Sequence, residues 1–201
     1  MKRSINIEDE LKRLKTSFPK TLENEIDNLL SLIKIKSEHN AHWGYEFNLE
    51  DNPFEMPSRI YWEEHRLLEP KSLSQTSRTI LACILTRHHN GYVREKYLNQ
   101  IIDSDEYWTT PYLVQLLGEY VVEILELVWD NFDSVNSSHL VDFVEENEIY
   151  WYKTKQRISS YWDCYHRYKN RPKEDYIGFK LIDRIEELIK RKTIPNTVYS
   201  K

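Results

Sequence analysis

Apolar residues recur every three or four positions along most of the chain, which is the spacing of one face of an α-helix. The clearest stripe lies in residues 20–37 and consists of Leu22, Ile26, Leu29, Leu30 and Ile33. A shorter stripe precedes it in residues 5–17, and Pro19 separates the two because proline breaks a helical pattern. We therefore expect an N-terminal helical hairpin over residues 1–37.

The same period returns at Ser74 and continues to about residue 193. Start and stop signals divide this region into successive helices. The starts are marked by Ser74 or Thr76, Thr110 before Pro111, Ser137 or Ser138, and Pro172; the turns are marked by Asn90-Gly91 and Gly118. The expected fold class is all-α with about 9–10 helices, and residues 194–201 are expected to form a loose tail.

Residues 38–57 interrupt the helical period. The stretch is punctuated by Gly44, Pro53 and Pro57, and its large apolar side chains are Trp43, Tyr45, Phe47 and Phe54. We interpret it as a long loop held on the body of the protein by its aromatic rings, and loops of this length are often functional. After it, Ser58 is expected to cap a short helix that ends before Pro70.

The composition is typical of a helical globular protein. The 201 residues include four glycines and seven prolines, whereas β-rich folds usually need more turn residues. Aromatic residues make up 13%, which excludes simple disorder. A chain of this length buries roughly 70% of its unfolded surface, so we expect one compact domain, or one domain with an added helical hairpin, that folds without metal or disulfide.

The cysteines and the lengths of the apolar runs indicate where in the cell the protein is located. Cys83 and Cys164 lie in apolar or aromatic helical contexts, and we interpret both as buried free thiols. No apolar run is long enough for a membrane span, and residues 1–6 are followed by charged residues instead of the apolar core of a signal peptide. We expect a cytoplasmic protein that does not cross a membrane.

A short motif occurs twice. Asn90-Gly91-Tyr92-Val93-Arg94-Glu95 aligns with Gly118-Glu119-Tyr120-Val121-Val122-Glu123 at a shift of 28 residues, and each copy follows an apolar helix. A unit of this size cannot bury its apolar face alone and must stack on neighbours. No third copy follows at the same shift.

The first copy resembles the start of the second helix of a HEAT repeat, where a turn residue is followed by Val-Arg. Val122 replaces the arginine in the second copy, so a ladder of arginines along the turns is not expected. The resemblance implies a right-handed stack of helix pairs over residues 58–193 with a concave surface that binds protein or nucleic acid. A generic helical bundle is the alternative.

Candidate catalytic and metal-binding residues are few. The sequence has no nucleotide-binding, zinc-protease or hydrolase motif. His39 and His42 lie three residues apart beside Glu38 and Glu46, but a metal site needs three or four convergent ligands and no second cluster accompanies them. We expect no catalytic residue, no metal and no cofactor, with an unrecognised enzyme site around His39 and His42 as a remaining alternative.

Charge is unevenly distributed along the chain. No lysine or arginine occurs from Tyr97 to Tyr152, a stretch of 56 residues with 12 Asp and Glu, although the whole chain has 28 Lys and Arg and a net charge of −5. The spacing of its carboxylates places several on one helix face. The candidate acidic residues are Glu119, Glu123, Glu126, Asp130, Asp142, Glu145 and Glu146.

We predict that these carboxylates form an acidic helical surface that binds a basic protein partner, because opposite charge speeds and orients association. The chain would then be a non-catalytic interaction protein. Bacterial immunity proteins, which neutralise basic nuclease toxins, are similar in size, acidity and lack of motifs.

The segment 150–173 is the alternative site. Its cations are Lys153, Lys155, Arg157, Arg167, Lys169, Arg171 and Lys173, and they interleave with tyrosines and tryptophans. Cations interleaved with aromatic rings are typical of nucleic-acid binding, although an isoelectric point near 5.8 is low for that function. In the competing interpretation, the rings belong to the core and the cations pair with the acidic helices.

Overall fold

The computed structural model of the protein describes residues 7–33, 35–37, 39–63, 73–169 and 172–193. Within these residues the chain forms nine α-helices and one two-stranded antiparallel sheet. The predicted mainly helical chain is therefore confirmed, and the sheet is a departure from the all-α prediction. The chain divides into two compact units, residues 1–113 and residues 114–201.

The first unit is built from short helices. In the part of it that the structure describes, they are α1 (Ile7–Lys15), α2 (Glu23–Leu32), α3 (Gln75–Leu85), α4 (Gly91–Leu98) and the start of α5 (Thr110–Leu117), which crosses the boundary. Helix α1 packs on α2, α2 on α3, and α3 on α4. Ile26 and Leu29 of α2 and Ile80 and Ile84 of α3 are fully buried, so the apolar stripes of the sequence do face the core.

Polar side chains fix where two of these helices begin. The Ser74 hydroxyl accepts a hydrogen bond from the Ser77 amide at 3.0 Å, and the Asn90 side chain accepts one from the Tyr92 amide at 3.0 Å. Each cap satisfies an amide that the first helical turn leaves without a partner. Ser74, and not Thr76, is thus the N-cap of α3. Helix α4 begins directly after its own N-cap, Asn90.

Residues 42–59 form a β-hairpin, where the sequence predicted a loop over 38–57 and a helix from Ser58. Strand β1 (His42–Leu49) pairs antiparallel with β2 (Asn52–Arg59), with Phe47 opposite Phe54. Both predictions are wrong for these residues, and the remainder of the expected helix, residues 64–68, lies outside the described residues. The aromatic side chains do anchor the segment, because the Arg13 guanidinium of α1 lies 4.3 Å above the Trp43 ring.

The hairpin uses turn residues that the usual sequence signals do not include. Glu50 and Asp51 form a two-residue turn in which both φ angles are positive, 51° and 62°, and such turns normally contain asparagine and glycine. Pro53 and Pro57 also lie in β2, and proline is tolerated in this two-stranded sheet because both strands are edges. Gly44 takes a φ of 128° where the register shifts.

The second unit is organised around its last helix. Its described residues include α6 (Val122–Asp130), α7 (Ser137–Glu146), α8 (Glu148–Tyr161) and α9 (Ile177–Thr193). Helix α9 packs against α6, α7 and α8, and Leu181 and Ile185 supply its buried face. The predicted stripe of the last helix therefore forms the centre of this unit. The tail predicted for residues 194–201 lies outside the described residues.

The helix that begins at Glu148 does not continue regularly through the aromatic segment. Helix α8 ends at Tyr161, and residues Trp162–His166 continue as one turn of π-helix. The His166 ring stacks on the Tyr176 ring with centroids 4.9 Å apart, and burial raises the pKa of Tyr176 to about 12. Among the described residues, no helix has both the length and the apolar character that crossing a membrane requires.

Helices α8 and α9 approach each other closely at Gly178. A β-carbon added there would lie 2.7 Å from a methyl group of Ile158 and 2.7 Å from the Tyr176 ring. Both neighbours are fully buried, so neither can move aside freely.

We predict that Gly178→Ala lowers the free energy of unfolding by about 1–3 kcal/mol, because overpacking a closed core displaces its neighbours. Urea denaturation followed by circular dichroism measures the change. The matched control is Lys180→Ala on the exposed side of the same turn, which should change stability by less than about 0.5 kcal/mol. Equal stability of Gly178→Ala and the parent protein would contradict the close approach.

Candidate functional site

Three carboxylates form an exposed stripe on α6. Glu123, Glu126 and Asp130 are spaced by three and four residues and all are exposed, as the sequence predicted. Within the described part of the chain, none of them has a hydrogen bond or ion pair to a cation. These three residues are hereafter the α6 stripe.

Glu119 does not belong to this surface. It lies between the end of α5 and the start of α6 and is 2% exposed. Its prediction as part of the exposed acidic face is wrong, because the regular spacing from Glu119 to Glu123 was counted through a break in the helix. Gly118, which precedes it, packs beneath the Arg157 side chain.

The acidic residues that follow α6 are largely neutralised within the second unit. Lys192 of α9 donates to Asp142 and to Glu145 of α7, at 2.7 Å in each case. Arg184 of α9 pairs with Asp133. Asp142 and Glu145 are therefore exposed but already bound to a cation, and Glu146, which is half-buried, makes polar contacts of its own.

The basic residues of segment 150–173 do not share one surface. Lys155 donates to Glu186 of α9 at 2.8 Å, and Arg157 points inward, where it donates to Thr154 at 2.7 Å. Arg167 bonds Asp163 one turn away on the same segment. Lys153 and Lys169 remain exposed, and Arg171 lies outside the described residues. The two cations nearest the middle of α8 are thus structural.

The tyrosines of this segment are more exposed than a core interpretation allows. Tyr165 is 63% and Tyr168 91% exposed. Tyr120, from the turn before α6, lies 6.0 Å from both Tyr161 and Tyr165, measured between ring centroids. We call Tyr120, Tyr161 and Tyr165 the tyrosine cluster. Tyr150 and Trp151, by contrast, are buried, so the core interpretation holds for the first turn of α8 alone.

A second cluster lies in the first unit, around Tyr61. The rings of His39, His42 and His89 each lie 5.3–5.4 Å from the Tyr61 ring between centroids. The sequence pointed to His39 and His42 but not to Tyr61 or to His89. Tyr61 and His89 come together because the Ile60 amide bonds the Arg87 carbonyl and the His89 amide bonds the Ile60 carbonyl. A local sequence pattern cannot predict a pairing between segments this far apart in the chain.

Buried charged and aromatic groups hold this histidine cluster in place. Arg87 is fully buried and donates to the carbonyls of Pro57 and Ser58 at 3.2 and 3.1 Å. Arg94 donates to the carbonyls of His88 and His89, both at 2.9 Å. His88 donates from Nε2 to the Trp62 carbonyl and accepts the Asn90 amide at Nδ1, which fixes it as the neutral tautomer.

The remaining candidates for chemistry are metal-ligating side chains and the two cysteines. Within the described residues, no group of three or more His, Cys, Asp or Glu side chains is arranged to hold a metal ion. Cys83 is buried as predicted, and burial raises the pKa of its thiol. Cys164 is exposed on the π-turn, so its prediction as a buried thiol is wrong.

No protein-family model, curated protein or solved structure matches the chain. The resemblance to HEAT repeats therefore rests on residues 90–95 and 118–123 alone.

We predict that Arg87→Met destabilises the first unit by at least about 2 kcal/mol, because the buried Pro57 carbonyl loses its donor and the Ser58 carbonyl keeps only the bond from Arg59. Hydrogen exchange of the Ile60 and His89 amides, which bridge the two segments, should accelerate. Arg191→Met, which removes an arginine that is 75% exposed, is the control and should leave both rates unchanged. Unchanged exchange in Arg87→Met would mean that Arg87 does not support the cluster.

We predict that Glu186 contributes stability that is lost in acid. Burial would raise the pKa of its carboxyl, but hydrogen bonds from Lys155 and Trp151 outweigh burial and place the pKa below its ordinary 4.5. Since the unfolded chain then binds the proton more readily, stability falls as the pH drops through the folded pKa.

The free energy of unfolding from neutral pH to below 4.5 should therefore decline less steeply in Glu186→Gln than in the parent protein. Glu187→Gln, whose carboxylate is 63% exposed, should keep the parent slope. Identical slopes in the parent and Glu186→Gln would contradict the lowered pKa.

Proposed function

We propose that the protein is a cytoplasmic, non-catalytic interaction module whose α6 stripe binds a basic protein. The observation that supports it is a contrast within the second unit. The acids Asp133, Asp142 and Glu145 are bound by cations of α9, whereas the α6 stripe is exposed with no such partner in the described residues.

The contrast matters because like charges at helical spacing repel one another. A protein can relieve that repulsion from within, as α9 does for α7. On α6 the repulsion is left to solvent, salt or a partner. A cationic protein surface would relieve it and would be drawn to it at long range. Neutralisation of a basic nuclease, as immunity proteins perform it, is one role that such a surface would serve.

We also propose that the helix pairs α3–α4 and α5–α6 are HEAT-like. The two copies of the Tyr-Val-x-Glu motif support this, since each lies at or just before the start of the second helix of its pair. The first copy has the Asn90 cap, and the second has no side-chain cap. Structure determination by NMR in solution should show the two pairs superposing with the same handedness; opposite handedness would remove the proposal.

We predict that a peptide of alternating lysine and glycine binds at α6. Titration followed by amide chemical shifts should place the largest changes on Val122–Asp130. The triple variant Glu123→Gln, Glu126→Gln, Asp130→Asn should weaken binding about tenfold, because each exposed ion pair contributes about 0.2–1 kcal/mol. Added salt should weaken binding to the parent protein.

The matched control changes the net charge equally at another surface. Glu174→Gln, Asp175→Asn and Asp183→Asn replace three exposed acids of the second unit. This control should keep most of the affinity. If both triple variants weaken binding equally, the attraction follows the total charge of the chain, and the α6 stripe is not a site.

A further inference from the structure

The tyrosine cluster is an exposed aromatic surface in the second unit. Tyr165 is 63% and Tyr120 46% exposed. Single exposed apolar residues are common, but contiguous exposed patches mark interaction sites. The rings of Tyr161 and Tyr165 also lie next to each other, with centroids 6.2 Å apart. The cluster therefore differs from the isolated exposed ring of Tyr152 at the other end of α8.

The cluster is held in a defined geometry by the π-turn. His166, the last residue of that turn, bonds the carbonyl oxygen of Tyr120 through Nε2 at 3.2 Å, and its ring stacks on buried Tyr176. The turn before α6 is thereby tied to the end of α8. Single π-turns inside helices frequently occur at functional sites, and this one places Tyr161 and Tyr165 beside Tyr120.

The segment that carries Tyr161 and Tyr165 is basic although the chain is acidic overall. Lys169 lies in the turn that follows Tyr165, where its amide bonds the His166 carbonyl at 3.0 Å. Its side chain is exposed and has no carboxylate partner among the described residues. Asp163 is the sole acid of residues 150–173, and Arg167 binds it. A ligand with negative charge and flat rings would therefore meet a cation and several exposed aromatic faces together.

We propose that the tyrosine cluster and Lys169 bind single-stranded nucleic acid, with unpaired bases stacked on the tyrosines and a backbone phosphate beside Lys169. Exposed aromatic rings next to cations are the recurring basis of single-strand binding, and base stacking supplies much of the affinity. A duplex hides the faces of its bases, and a chain with a net charge of −5 lacks the broad basic surface that duplex binding needs.

This inference and the α6 stripe share no residue, although Tyr120 lies three residues before Glu123. The triple variant of α6 removes three nearby negative charges and should therefore bind single strands at least as well as the parent protein does. Failure of either proposal thus leaves the other to be judged by its own experiment.

Fluorescence anisotropy with labelled oligothymidylate, oligouridylate and a duplex hairpin tests the proposal. At low salt we expect binding to one or both single strands and weaker binding to the hairpin. Comparison of the two single strands shows whether DNA or RNA is preferred. Tyr120→Ala and Tyr165→Ala should each weaken single-strand binding about tenfold or more, and Lys169→Gln should reduce its salt dependence by about one released ion.

Tyr152→Ala is the matched control, because Tyr152 is 59% exposed on the same helix but outside the cluster. It should bind like the parent protein, and circular dichroism should show that all variants fold. The proposal is overturned if no single strand binds at low salt, or if Tyr152→Ala weakens binding as much as Tyr165→Ala. Self-association in sedimentation that Tyr165→Ala abolishes would assign the cluster to a second copy of the chain and would also overturn it.

Discussion

The packing of α9 is the interaction on which the second unit depends. One face of this helix buries Leu181 and Ile185 against α6, α7 and α8, and the polar positions beside that face carry Arg184, Glu186 and Lys192. These side chains bind Asp133, Lys155 and the acids of α7. Apolar burial supplies the free energy, and the ion pairs settle which charges of the unit remain available to a partner. This arrangement leaves the α6 stripe and the tyrosine cluster exposed.

Most helices could be predicted from the sequence because helix formation is local. Period, cap and turn signals lie within a few residues of each other, and the caps at Ser74 and Asn90 illustrate this. The β-hairpin could not be predicted, since its turn residues Glu50 and Asp51 rarely take positive φ and its second strand contains two prolines. Cross-strand pairing decided the structure of that segment against its local preferences.

The candidate sites divide along the same line. The α6 stripe was predicted because its three acids share one helix. Glu119 was misplaced because it lies in the turn before α6 and not on that helix. The partners of Asp142, Glu145 and Lys155 lie about 30 to 50 residues away in sequence, so neither the period nor the composition could assign them. Tyr61 and Tyr120 entered their clusters by the same long-range folding. The sequence shows which residues are charged or aromatic, whereas tertiary packing determines which of them are exposed.

The position of α9 in the chain has a consequence for biosynthesis. A ribosome makes α6 and α7 before α9, so their carboxylates emerge without the cations that later bind Asp133, Asp142 and Glu145. Until Arg184 and Lys192 have left the exit tunnel, this part of the nascent chain is a strongly acidic, self-repelling segment, and its apolar stripes lack the surface on which they close. The second unit can therefore pack only after α9 has been synthesised, whereas the helices of the first unit are all synthesised earlier.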